Sequence, residues 1–123
     1  MNETILIVED NPDMRSGLRV SLEIEGYSVL TANNGEEALA LLATSMPDLV
    51  LADLKMPYMN GLQLLDEIQK NETWRDIPVV IVTAVAEPAV QSDAAWRGAH
   101  AYLTKPFEIE ALLDAVAQAL GSP

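Results

Sequence analysis

Short apolar runs alternate along the chain with stretches in which apolar residues recur every three to four positions. The runs Thr4 to Val8, Ser28 to Ala32, Asp48 to Ala52, Pro78 to Val82 and Ala99 to Leu103 predict five strands. Three of them are nearly continuous in Ile, Leu and Val, as strands covered on both faces are. The second has fewer large apolar residues and carries Ser28 and Thr31, which predicts an edge position.

The intervening stretches predict five helices. The first has Asn11 as N-cap, Pro12 at the first helical position where its missing N–H costs nothing, an inward stripe of Met14, Leu18 and Leu22, and Gly26 as its stop. The second runs from about Gly35 to Ser45, with Ala38, Leu41 and Leu42 inward and Pro47 forbidding continuation. The third opens on Asn60-Gly-Leu-Gln63, a variant of the capping box, and is expected to bury Leu62, Leu65 and Ile68. The fifth has Ile109, Leu112, Leu113, Val116 and Leu120 on one face. The fourth, near Pro88 to Arg97, offers mostly Ala and Val90 to the core, so it should be the least firmly docked element.

Strand-helix alternation implies right-handed crossovers and a parallel sheet with helices on both faces. The expected fold class is therefore α/β: a doubly wound five-stranded parallel sheet in the order 2-1-3-4-5. In that arrangement ligands sit beyond the carboxyl ends of the strands, at the switch point between strands 1 and 3. At 123 residues the chain has room for one domain of the usual roughly 100 to 200 residues, with a core at about 4–120.

Composition narrows the chemistry. There is no Cys, which excludes disulfides, thiolate catalysis, Fe–S clusters and Cys-based zinc sites. A net charge of -12, with seven Lys+Arg against nineteen Asp+Glu, opposes direct binding to nucleic acid or an anionic membrane. The acidic N-terminus is unlike a signal peptide and no apolar run is long enough to span a bilayer, so a cytoplasmic location is expected.

Polar residues stand at the predicted strand ends: Glu9 and Asp10 after the first, Asp53 after the third, Thr83 after the fourth and Lys105 just after the fifth. The edge strand ends in Ala32-Asn33-Asn34 and adds no charge. Singly these residues have ordinary readings: Asp10 as a helix-capping residue, Asp53 as a turn carboxylate, Thr83 as a cap and Lys105 as a solvated lysine. Together they converge on one crevice. Three converging carboxylates repel one another and call for a neutralising cation, and oxygen donors without imidazole or thiolate favour Mg2+. In such a crevice Asp53 is placed to act as a nucleophile on phosphorus, with Lys105 and Thr83 holding the phosphoryl oxygens, giving an aspartyl phosphate.

At this point the chain resembles the receiver domains of two-component response regulators, from residue 4 to about 120. The resemblance rests on Ile-Leu-Ile-Val-Glu9-Asp10-Asn, Asp53-Leu-Lys-Met-Pro57-Tyr-Met-Asn-Gly61, Val-Thr83-Ala84 and Gly98-Ala-His-Ala-Tyr102-Leu-Thr-Lys105-Pro106-Phe. It implies a single, CheY-like (flavodoxin-like) receiver domain over 1–123, with Asp53 accepting a phosphoryl group from the phosphohistidine of a histidine kinase or phosphotransfer protein. Glu9, Asp10, Asp53 and the Lys55 carbonyl would surround Mg2+, and Thr83 and Lys105 would contact the phosphate. Tyr102 would turn inward behind Thr83 as a switch aromatic, and the peptide between Lys105 and Pro106 would be cis. The surface of helix 4, strand 5 and helix 5 would address a partner or output domain, and the resemblance also allows phosphorylation-dependent homodimerisation there. Catalysis would extend only to the chain's own phosphorylation and dephosphorylation.

Departures are modest. His100-Ala101 stands where the family often has acidic residues, and Lys55 and Val85 occupy positions that tune acyl-phosphate hydrolysis, while Ala84 leaves space for the aromatic to move. His100, the only His, reads as a strand-edge side chain, and Met14, Met46, Met56 and Met59 as packing and loop contacts. Trp96 beside Arg97 reads either as core packing or as a partner surface. Two other functions set the contrast. A receiver-like binding module that is never phosphorylated would lack Mg2+ binding. An aspartate-nucleophile phosphatase would carry two aspartates two residues apart after the first strand and a cap domain, against Glu9-Asp10-Asn11-Pro12 and no spare length here.

Overall fold

The computed structural model describes residues 3–121. Five strands alternate with five helices: β1 (Thr4–Val8), α1 (Pro12–Ile24), β2 (Ser28–Ala32), α2 (Gly35–Thr44), β3 (Leu49–Ala52), α3 (Gly61–Gln69), β4 (Val79–Thr83), α4 (Pro88–Trp96), β5 (Ala101–Thr104) and α5 (Ile109–Ala119). All strand pairs are parallel and the order is β2-β1-β3-β4-β5, as the alternation predicts. The last three strands begin one or two residues later than their apolar runs, because Asp48, Pro78 and the Ala99–His100 pair precede the regular ladder.

Side chains alternate across the sheet and build a core on each face. Leu6, Val8, Val50, Ala52, Val79 and Ile81 meet Ala38 and Leu42 of α2 and Leu64, Leu65 and Ile68 of α3. Ile5, Ile7, Leu49, Leu51, Val80 and Val82 meet Leu18 and Leu22 of α1 and Leu112 and Val116 of α5. Every residue of β1 after Thr4, and all of β3 and β4, is buried, so these strands form the floor on which the loops at their carboxyl ends are carried.

Local chemistry sets the helix starts. The Asn11 side chain accepts from the Met14 N–H, and Pro12 opens α1. Asn60 and Gln63 form a reciprocal capping box on α3. At the end of α1 the chain turns through Gly26 at φ 99°, a conformation without steric cost only for glycine.

Two inward assignments need correction. In α3 it is Leu64 that is fully buried with Leu65 and Ile68, while Leu62 is half-buried and lines a cleft, because Gly61 rather than Leu62 faces the sheet. In α5 Ile109 is 39% exposed, since the helix starts there and its first turn overhangs the core. Met46 is likewise exposed, in the link before β3, whereas Met14, Met56 and Met59 do pack on the two cores. The helix α4 buries only Ala94, in keeping with its mostly small inward residues, and it has no side-chain cap at Glu87. No helix among the described residues is long and apolar enough to cross a membrane.

Candidate functional site

Hydrogen bonding between strands continues one step past their carboxyl ends and lines up the polar residues. The Glu9 N–H donates to the Ala32 carbonyl at 3.1 Å, the Asp53 N–H to Val8 at 3.1 Å and the Lys105 N–H to Thr83 at 2.7 Å. Glu9, Asp53, Thr83 and Lys105 are thereby fixed by the sheet rather than by flexible loops. Glu9 and Asp53 are only 3% and 8% exposed, and Thr83 is buried.

Lys105 closes the group. Its Nζ donates to Glu9 Oε1 and to Asp53 Oδ2, each at 2.9 Å. The other Asp53 oxygen, Oδ1, accepts from the Lys55 N–H at 3.2 Å, and Glu9 Oε2 accepts from the Asn11 N–H at 3.2 Å. The peptide between Lys105 and Pro106 is cis. Asp10 is exposed and lines a cleft of about 580 Å³ with Leu54, Lys55, Met56, Asn60 and Val85, which opens beside the Asp53 loop.

Burial pushes the Glu9 carboxyl above its ordinary range, and the bonds from Lys105 and Asn11 offset this only in part. Burial pushes Asp53 upward too, but the Lys105 ammonium, the Thr83 hydroxyl and the Lys55 N–H outweigh it and hold this carboxyl below its ordinary value. For Lys105 burial alone would favour the neutral amine, and the two carboxylates overcome it and raise the ammonium. Asp53 is therefore an ionised, oriented, nearly buried carboxylate at neutral pH.

Among the described residues no three acidic or imidazole side chains stand together as a ready-made ligand set. The sequence leads one to expect three free carboxylates in convergence; here the Lys105 ammonium joins two of them and Asp10 stands at the open side. The donors nonetheless suit a hard cation. They are oxygens throughout, and three carboxylates against one ammonium leave an excess of negative charge that a divalent ion would balance.

Tyr102 is half-buried against the core on the α2–α3 face, and its hydroxyl donates to the Val85 carbonyl in the link between β4 and α4. The Val85 N–H in turn donates to Thr83 Oγ1 at 3.3 Å, so Thr83 and Tyr102 meet through one residue. Trp96 is 87% exposed, which decides its reading against core packing, while Arg97 beside it is held by Asp93 and by Asp66 of α3. His100 is exposed, at the opposite end of the sheet from the site.

Two contacts at the site are not legible in the spacing of the sequence, although Gly61 closes the Asp53 to Gly61 stretch on which the resemblance rests. Gly61 lies against the backbone of Asp53 and Leu54, and its N–H donates to the Leu54 carbonyl at 2.9 Å. Arg15 of α1 folds back and its Nη1 donates to the Glu9 carbonyl at 2.9 Å.

Comparison with known proteins places these residues in context. The family described as the response regulator receiver domain matches residues 5–117. The chain is 36% identical to the phosphate regulon transcriptional regulatory protein PhoB of Pseudomonas aeruginosa, over 98% of this chain and 54% of that protein. It is 40% identical to protein PilH of the same species, over 91% of this chain and 93% of that protein. Among solved structures it is similar to the receiver domain of a Pseudomonas aeruginosa sensor histidine kinase with magnesium coordinated in its active-site cleft. That match has 29% identity and a TM-score of 0.90, and covers 99% of this chain and all of the other. The chain spans about half or less of the length of the first curated relatives it matches.

Proposed function

The chain belongs to the response regulator receiver domain family of two-component systems, and from that premise we propose that it is a phosphorylation switch whose acceptor is Asp53. The reading is carried by the state of that side chain: nearly buried, held ionised, with one oxygen on Lys105 and the other on the Lys55 N–H. A carboxylate oxygen of Asp53 attacks the phosphorus of a phosphohistidine on a histidine kinase or phosphotransfer protein. The P–O bond forms as the P–N bond breaks, and the imidazole leaves with the electron pair. Lys105 and the Thr83 hydroxyl are the donors we assign to the phosphoryl oxygens.

Glu9, Asp10, Asp53 and the Lys55 carbonyl are the groups that would hold Mg2+. When bound, that ion supplies countercharge and orientation to the phosphoryl oxygens. Once Asp53 carries the phosphoryl group as an acyl phosphate, Lys105 loses half of its carboxylate partnership and Thr83 gains a new acceptor, which biases the Val85 link and the Tyr102 hydroxyl bonded to it. The output surface is α4, β5 and α5, with Trp96 its most exposed apolar side chain; the partner is an output domain or separate protein, or a second copy of this chain. We place the chain as one receiver unit, core residues about 4–120, in the cytoplasm, with no direct role in nucleic-acid or membrane binding. Its chemistry is limited to its own acyl phosphate.

Intact-mass measurement after incubation with a small-molecule phosphoryl donor tests this, with and without Mg2+, on the parent and on Asp53→Asn. The expected result is a single phosphoryl adduct that needs both Mg2+ and Asp53. No adduct on folded parent protein would replace the reading by that of a binding module that is never phosphorylated.

A further inference from the structure

The Arg15 guanidinium spends its hydrogen bonds in an unexpected place. Among the described residues Arg19, Lys70, Arg97 and Lys105 all pair with carboxylates, as is natural in a chain of net charge -12. Arg15, Lys55 and Arg75 do not, and of these three only the Arg15 side chain bonds backbone carbonyls. It is half-buried in the first turns of α1, and its Nη1 donates to the backbone carbonyl of Glu9 at 2.9 Å and, at 3.5 Å, approaches that of Asp10.

Those carbonyls belong to the two consecutive acidic residues that leave β1 for the cleft. Holding a peptide plane in one direction fixes the ψ of the residue before it and the φ of the residue after it, so drawing the carbonyls toward α1 sets where the Glu9 and Asp10 Cα–Cβ bonds start and narrows where the carboxylates can reach. The Glu9 carboxylate does point away from Arg15's anchor, onto Lys105 and the Asn11 N–H. Without the guanidinium, the Glu9 and Asp10 carbonyls at this bend would turn to water, and beyond the Glu9 N–H bond to Ala32 the backbone of the bend would be held by the Asn11 contacts. Both approaches are made by Nη1, at the end of a side chain whose planar, weakly hydrated head a shorter and strongly hydrated lysine ammonium matches only in part.

We propose that Arg15 is a positioning residue for the acidic pair: by clamping the Glu9 and Asp10 carbonyls it holds both carboxylates toward the cleft and sets the affinity of the pocket for a divalent cation. The proposal rests on the reading of the pocket as a Mg2+-dependent phosphoryl-acceptor site. Arg15 touches neither the acceptor nor the phosphoryl group, so its effect appears in cation affinity rather than in the reaction at saturating cation.

The test measures Mg2+ binding by calorimetry for the parent, Arg15→Met and Arg15→Lys, together with urea midpoints and hydrogen exchange at the Asn11 amide in chelator. Arg15→Met is expected to weaken Mg2+ about 10-fold, the lower end for a group that orients ligands without touching the ion, and to speed Asn11 exchange, with the rate of phosphorylation at saturating Mg2+ close to that of the parent. Arg15→Lys should recover part of both losses. If Arg15→Met is too unstable to measure, Arg15→Lys alone decides: Mg2+ affinity and Asn11 exchange equal to the parent overturn the clamp, and intermediate values support it. A parent that binds Mg2+ and an Arg15→Met that binds it equally well also overturn the role of Arg15 while leaving the pocket reading intact. A parent that binds no Mg2+ overturns the pocket reading and the affinity claim with it.

Discussion

Gly61 lies so close to Asp53 that a Cβ built at position 61 would fall 2.3 Å from the Asp53 carbonyl oxygen and 2.9 Å from the Leu54 Cα. Both are backbone atoms of the segment that carries Asp53, so neither can rotate aside. The first residue of α3 thus presses directly on the site, and the capping box of Asn60 and Gln63 fixes where that residue stands.

Replacing Gly61 with Ala should therefore displace Asp53. Forcing a methyl against packed backbone costs about 1–3 kcal/mol in a filled interior, and the upper part of that range is expected because two backbone atoms must move. The urea midpoint reads the stability loss, and intact-mass analysis reads slower formation of the phosphoryl adduct. Equal rates in a destabilised Gly61→Ala would separate the packing role from the chemistry.

Lys105 is the only cation among the described residues that bridges Glu9 and Asp53, and its removal leaves two nearly buried carboxylates facing each other. In chelator at pH 7.5, Lys105→Met should lose about 2–3 kcal/mol, less than the roughly 3–5 kcal/mol of a fully buried broken pair because Lys105 keeps 17% of its side-chain surface. The pH dependence follows from Asp53. Its carboxyl lies below its ordinary value in the parent, so the stability it contributes is present above the unfolded pKa and is lost as pH falls through the folded one. Without Lys105 that contribution is absent, so the gap between parent and variant should narrow as both are acidified. Urea midpoints at pH 7.5 and 3.0 check this, the second lying below the ordinary carboxyl value of 3.8; a gap that widens on acidification would refute it.

The fold was readable from the sequence because burial on both faces writes itself as unbroken Ile, Leu and Val, and because Asn11-Pro12 and Asn60-Gly-Leu-Gln63 announce helix starts chemically. The acidic residues, Thr83 and Lys105 were readable because they stand at strand ends, where sheet geometry alone decides where they go. Phase within a helix was less secure. Leu62 and Leu64 are both apolar, and which of them faces the sheet depends on Gly61 being pressed inward. Arg15 left no trace, since a side chain that bonds backbone carbonyls follows no pattern of residue types. The convergence of carboxylates was readable, but not that Lys105 would stand between two of them.

Arg97 ties the end of α4 to α3. It donates to Asp93 at 3.1 Å within its own helix and to Asp66 across the gap. With only Ala94 buried, α4 has little else to hold it. Arg97→Ala should speed hydrogen exchange in α4 while leaving the amides of β1, β3 and α3 unchanged, because exposed ion pairs act locally. Asp66→Asn should reproduce the effect. If α4 exchanges at the parental rate in both variants, the tie is without consequence.

Two phenols, together with Lys105, bear on stability at alkaline pH. Burial raises Tyr27 above its ordinary value, helped by Glu3 and Glu25, and burial raises Tyr102, helped by Glu87 and Asp53. A phenol that holds its proton longer in the folded chain means that the native state binds more protons between the unfolded and folded pKa values. Stability then falls as pH rises across that interval. The contribution is complete below the unfolded value of about 10 and disappears above it. Lys105 acts with the same sign, so some slope remains when the tyrosines are gone. Urea midpoints at pH 8, 9.5 and 10.5 should be nearly level between the first two and drop at the third. The Tyr27→Phe/Tyr102→Phe variant should drop less over the last interval, although it begins about 1 kcal/mol lower because the Tyr102 hydroxyl no longer bonds the Val85 carbonyl. A variant that drops as steeply as the parent would mean that neither phenol titrates differently on folding, and that the alkaline loss belongs to Lys105 and the other cations.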